Sequence, residues 1–246
     1  MSFALALKGV LGASRPFSPA RIPGYDLDVD SDTGVTLATG VKTWADQRGP
    51  NFDDFVQNSV TRQPGYTLSD PGANGHASLN FDGVAGASDY MTTPGKDPLR
   101  PVGGFLWAAA GKFPLPTGTG FSNVTSKNGY WILRVNSTGT VRVFIRNAAN
   151  TAWQQNTTTG TIPGSGYDVI MVNWDGATTG TVMVGGAEET WPVTSAYSGA
   201  AQHITLGQAS ATTPQMDLVR GLGYTQPVSA VNRAKLRAYL QTEYGF

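Results

Sequence analysis

The chain of 246 residues has no cysteine, two histidines and three glutamates. Without cysteine there is no disulfide framework, no iron–sulfur cluster and no thiolate-held zinc. The two histidines, His76 and His203, are too few for a histidine-rich metal site, and a serine–histidine–aspartate triad would have to use one of them. Neither lies near a Gly-x-Ser-x-Gly turn, and the chain has no phosphate-binding loop and no dinucleotide fingerprint. Glu188 and Glu189 are adjacent, so on a strand they point to opposite faces, while Glu243 falls in a helical stretch near the C-terminus. Jelly-roll glycoside hydrolases need two carboxylates flanking one bond. No Glu-x-Asp array supplies them here, and the expectation is a protein that is not an enzyme.

Charge is scarce as well. Charged residues make up 14% of the chain, against roughly 25% in ordinary soluble domains, and 17 acids balance 17 bases. No bulk field draws such a chain to nucleic acid or to an anionic membrane. No apolar run is long enough to span a bilayer. In the opening MSFALALKGVLGAS, Lys8 interrupts the apolar stretch and no basic residue precedes it, unlike a secretory signal. Pro16, Pro19 and Pro23 then hold the chain extended. Residues 1–23 read as an arm that docks on its own domain or on a neighbour, with Phe3, Leu5, Leu7, Leu11 and Phe17 as its apolar anchors.

What the chain has in quantity is glycine (31), proline (15) and runs of Thr, Asn and Val, the composition of turns and β-branched strands. Two continuous apolar runs, Phe105–Lys112 and Tyr167–Trp174, read as buried central strands. Tyr130–Val135 and Thr140–Arg146 flank Asn136-Ser137-Thr138-Gly139, a hairpin connection with glycine at its end. On this hairpin Trp131, Leu133, Val135, Val141, Val143 and Ile145 share one face. Arg134, Arg142 and Arg146 lie on the other beside Tyr130 and Phe144. Arginines among aromatics suit a polyanion or a sugar; a solvated or subunit-facing sheet surface has the same pattern. Trp153-Gln154-Gln155-Asn156 offers a ring for the C–H side of a sugar and amides for its hydroxyls, and also reads as an ordinary strand residue beside a polar loop.

Tyr25–Asp30 alternates, placing Asp26, Asp28 and Asp30 on one face. Three carboxylates in a row suggest calcium, although the spacing does not fit a twelve-residue EF-hand loop; the alternative is a solvated strand face. From Asn74 to Met91 an alternating strand (Ala77, Leu79, Phe81) runs into an Asp82-Gly83 turn, in which Asp82 and Asp89 read as turn-shaping residues. A helix from about Val231 to Tyr244, within 229–245, has Ser229 as N-cap and Gly245 as C-cap. Leu236, Tyr239, Leu240 and Tyr244 fall on one arc, which should pack across an end or edge of the sheets.

In order, Phe17-Ser18-Pro19, Ile22-Pro23-Gly24, Tyr25–Asp30, Trp44-Ala45-Asp46-Gln47, Arg62-Gln63-Pro64, Leu79–Gly83, Asp89-Tyr90-Met91 and Leu236–Gly245 resemble the concanavalin A-like, laminin-G-like jelly-roll domains of bacteriophage virion proteins and bacterial surface proteins. The resemblance implies an all-β fold, a two-sheet antiparallel jelly-roll sandwich. An extended N-terminal arm (1–23) would precede a single domain (24–246) that includes the C-terminal helix.

The expectation that follows is a structural or decoration protein of a phage-like virion, on capsid or tail, made in the host cytoplasm. It would be held to other virion proteins by its arm, would carry no cofactor unless calcium, and could assemble as a homo-oligomer. A carbohydrate-binding adhesion module is the alternative, with a glycoside-cleaving enzyme as the third reading.

Overall fold

The computed structural model describes residues 16–48, 53–82, 88–94, 97–99, 102–116, 121–127, 130–196, 199, 202–207 and 215–246. The arm residues Phe3, Leu5, Leu7 and Leu11, and the middle of the Asn74–Met91 stretch, lie outside them.

In chain order the strands are β1 (Tyr25–Asp30), β2 (Val35–Leu37), β3 (Val41–Trp44), β4 (Phe55–Val56), β5 (Gly65–Thr67), β6 (Ser78–Phe81), β7 (Tyr90–Thr92), β8 (Phe105–Lys112) and β9 (Phe121–Lys127). They continue with β10 (Trp131–Asn136), β11 (Thr140–Arg146), β12 (Trp153–Thr161), β13 (Tyr167–Trp174), β14 (Thr179–Val184), β15 (Ala187–Pro192), β16 (Ile204–Gly207) and β17 (Met216–Tyr224), followed by helix α1 (Ala230–Tyr244). An eight-stranded sheet has the order β15-β14-β13-β8-β17-β6-β5, with β1 also on β17. A nine-stranded sheet has the order β12-β11-β10-β9-β16-β7-β4-β3-β2. The ladders are antiparallel, and the two sheets form the jelly-roll sandwich.

Why strands β8 and β13 are apolar throughout is clear from what covers them. Phe105, Trp107 and Ala109 of β8 and Ile170, Val172 and Trp174 of β13 face the interior with Trp44, Trp131, Leu133 and Val143. Phe105 stacks on Trp131 at 5.4 Å between ring centroids. Leu106, Ala108, Ala110, Val169 and Met171 point the other way, into a second apolar cluster with Val219, Leu222, Leu236, Leu240 and Tyr244. The packing is close enough that a Cβ at Gly221 on β17 would lie 2.6 Å from the Trp107 ring, so only glycine fits there.

The expected placement of the helix is therefore corrected: α1 lies on the outer face of the eight-stranded sheet, where those apolar side chains must be covered. Ser229 Oγ accepts from the Asn232 N–H at 3.4 Å, and Gly245, in the left-handed region, donates to Gln241 O at 2.9 Å. The buried side is Arg233, Leu236, Leu240 and Tyr244, whereas Tyr239 is only half-buried. Arg233 is buried in a two-pronged pair with Glu188 of β15 at 2.7 and 2.8 Å.

Residues from Phe17 onward belong to this same layer. Phe17, counted with the arm from sequence, packs on Tyr239 at 5.9 Å, Ile22 is buried, and Pro19 O accepts from the Tyr224 hydroxyl at 3.3 Å. At one edge of the sandwich, β12 and β15 are tied together. The Glu189 carboxylate accepts from the N–H groups of Thr159 (2.8 Å) and Gly160 (2.9 Å), which hold its pKa below the ordinary value. In the retained part of the Asn74–Met91 stretch, the Asp82 N–H donates to Asp89 at 3.1 Å, and burial pushes the Asp89 carboxyl up to about 6. No helix among the described residues is long and apolar enough to cross a membrane.

Leu236 is fully buried under the helix. Leu236→Ala is expected to cost about 2–5 kcal/mol of unfolding free energy, read as a lower denaturant midpoint. A cost near zero would mean that α1 does not cover the sheet.

Candidate functional site

The covering of one sheet leaves the outer face of the other open at β10, β11 and β12, and the side chains of the three strands alternate as expected; Tyr130, just before β10 and expected beside the arginines, is instead buried in the interior cluster. Arg134 and Arg142 are direct cross-strand partners on β10 and β11. Each guanidinium lies 5.1 Å from the centre of the Phe144 ring, within cation–π range. Phe144 is itself 9% exposed and meets Trp153 of β12 edge-on at 6.1 Å. Arg146, also on this face, covers the Trp153 ring at 4.8 Å. It is held by the turn between β11 and β12, donating from Nε to Asn150 Oδ1 at 2.8 Å and from Nη2 to Asn150 O at 3.1 Å. Asn150 adopts a positive φ of 57° that closes this turn.

Gln155, opposite Phe144 in register, accepts from Arg142 Nη2 at 3.2 Å. The result is a patch of three arginines laid on two aromatic rings. Burial, and then the like charge of Arg142, push the Arg134 guanidinium below its ordinary pKa.

The four-residue run Trp153 to Asn156 is not one surface. Successive strand residues point to opposite sides. Trp153 and Gln155 join the patch, while Gln154 and Asn156 pair with Ile145 and Val143, on the other side of the sheet. Gln154 serves the fold: its Oε1 accepts from Thr194 N at 2.8 Å and its Nε2 donates to Ser195 O at 2.6 Å. Arg146 takes a larger part than its sequence suggested, because the ring it covers comes from the next strand.

The aspartates of β1 do not form a solvated face, and their charge is met by arginine. Asp28 is 5% exposed and receives a fork from Arg220 of β17, Nε and Nη2 both at 2.9 Å; Asp30 lies 2.9 Å from Nη1 of the same residue. Asp26 lies 3.4 Å from Arg48. Burial opposes the charge on Arg220, but the hydrogen bonds and charge of Asp28 outweigh it and raise its pKa. The described residues contain no group of three or more metal-ligating side chains, and Asp26, Asp28 and Asp30, read from sequence as a calcium candidate, are each paired with an arginine. Glu188 and Glu189 are occupied by Arg233 and by the β12 backbone. His76 contacts Asp32 and packs edge-on to Tyr244, which ties the β6 approach to the end of α1.

No protein-family model and no curated protein matches the sequence. Solved structures do match in fold. The binding domain of botulinum neurotoxin serotype D/C superposes with a TM-score of 0.64 at 9% identity, over 89% of this chain and 52% of that one. The binding domain of Paraclostridial Mosquitocidal Protein 1 gives 0.61 at 9% identity, over 90% and 53%. A structure of botulinum neurotoxin type C gives 0.59 at 11%, over 91% and 53%. This chain spans about half the length of those chains. The likeness places it among β-sandwich folds of this jelly-roll kind.

Arg220→Gln should leave the buried Asp28 and the half-buried Asp30 without their cation and cost about 3–5 kcal/mol. Chelator or added calcium should leave the melting temperature of the intact chain where it is. A calcium-dependent rise would restore the metal reading.

Proposed function

We propose that this chain is a non-enzymatic binding module, a jelly-roll sandwich displayed by a larger assembly and contacting surface glycans through β10, β11 and β12. The observation that carries the reading is the cluster of Arg134, Arg142, Phe144, Arg146 and Trp153 on the sheet face that α1 does not cover. Aromatic bodies carrying planar donors are suited to sugar hydroxyls and acidic groups. The fold neighbours support it by analogy: one is the binding domain of botulinum neurotoxin DC in complex with SialylT, another is the same domain with rat synaptotagmin II, and botulinum neurotoxin type C interacts with two ganglioside molecules when it enters cells.

The assembly we favour is a phage-like virion, capsid or tail, with other virion proteins as partners. Low charge and the absence of cysteine suit that setting. A structural observation adds to it: residues 17–22 lie in the layer of α1, outside the eight-stranded sheet, whereas the arginine–aromatic patch lies outside the nine-stranded one. A sandwich held from its N-terminal side by Phe3, Leu5, Leu7 and Leu11 would then present the patch away from its support.

Two measurements test these readings. On a glycan array the intact chain should bind, and Trp153→Ala, which removes the support of Arg146, should weaken binding at least about tenfold; unchanged binding would remove the site. Deletion of residues 1–15 should abolish attachment to the particle. Full occupancy by the truncated chain would contradict the arm.

A further inference from the structure

Both rings in the patch already carry guanidiniums. Phe144 is 9% exposed with two guanidiniums near it, and Trp153 has Arg146 over its ring. A sugar or a nucleobase stacking on an open aromatic plane needs that plane free. What the patch turns outward is the arginine layer, whose planar forks match carboxylate and sulfate oxygens in two-pronged geometry.

Its electrostatics point the same way. Arg134 and Arg142 face each other directly on neighbouring strands, with Arg146 further along β11, so three cationic side chains share one sheet face. Arg142 has one neutral acceptor, Gln155, on Nη2, while its Nε is buried with no hydrogen-bond partner among the described residues. The chain as a whole is neutral, so this cluster is local and is not a sign of general affinity for polyanions.

We propose that the glycan held at this face carries an acidic group, a carboxylate or sulfate on the sugar, gripped between Arg134 and Arg142 with the rings serving as their support. The proposal rests on the glycan-binding reading above. Arg134 and Arg142 are the specificity-determining residues; Phe144 and Trp153 position them.

The test titrates the intact chain, Arg142→Gln and Arg142→Lys with lactose, sialyllactose and sulfated lactose, at low and at high salt, with a short oligothymidylate alongside. Melting temperatures of the variants serve as the fold control. Sialyllactose or sulfated lactose should bind at least about tenfold more tightly than lactose, and Arg142→Gln should lose most of that difference. Arg142→Lys, which keeps the charge and loses the fork, should recover only part of it, and salt should weaken the acidic sugars selectively. The stronger of the two acidic sugars identifies carboxylate or sulfate as the recognised group. Equal binding of lactose and its acidic forms would overturn this proposal and leave the glycan reading standing. Unchanged affinity in Arg142→Gln, or tighter binding of oligothymidylate, would also overturn it. Failure of every sugar to bind would remove the glycan reading and this proposal with it.

Discussion

The constraint on which the rest of this structure depends is that the eight-stranded sheet is apolar on both faces. Strands β8 and β13 carry large side chains inward and small or aliphatic ones outward, and an outward apolar face left in water would oppose folding at about 25 cal/mol per Å². The second sheet covers one side. Helix α1, with residues 17–22, covers the other. Arg233 and Glu188 then fasten the helix to the β15 edge, and Arg220, between Asp28 and Asp30, secures β1 to β17 in the same sheet.

Once that side is closed, the sheet surface available for a partner is the outside of the nine-stranded sheet. There the alternation of β10, β11 and β12 brings three arginines and two rings together, on a hairpin whose turn residues set the register. Chemistry and topology thus agree on one face without a cleft, a metal cluster or a carboxylate pair among the described residues having to be invoked.

Much of this was legible in the chain because the signals are local. The Asn136–Gly139 turn with its flanking alternation, the Ser229 and Gly245 caps, and the unbroken apolar runs of β8 and β13 each depend on neighbours in sequence, and each appears in the structure. What was not legible depends on distant partners. Asp28 and Asp30 look like a cation site until Arg220, some 190 residues away in the chain, is found between them. The apolar arc of α1 is equally compatible with an edge or a face. Only the position of β8 between β13 and β17 decides it, because that order creates the outer surface needing cover. In the patch, the residues could be chosen from alternation, but not the stacking of Arg146 on Trp153, which follows from the β11–β12 register, nor the loss of Gln154 to the Thr194–Ser195 segment.

The central claim is that the two outer faces have different work: one closed by α1 for stability, the other kept for a ligand. Hydrogen–deuterium exchange of the intact chain, free and saturated with its glycan, tests this most directly. The account predicts added protection confined to β10, β11 and β12 and the turn at Asn150, with α1 and residues 17–22 unchanged. Protection centred on α1 and the N-terminal segment, with β10–β12 unaffected, would contradict it.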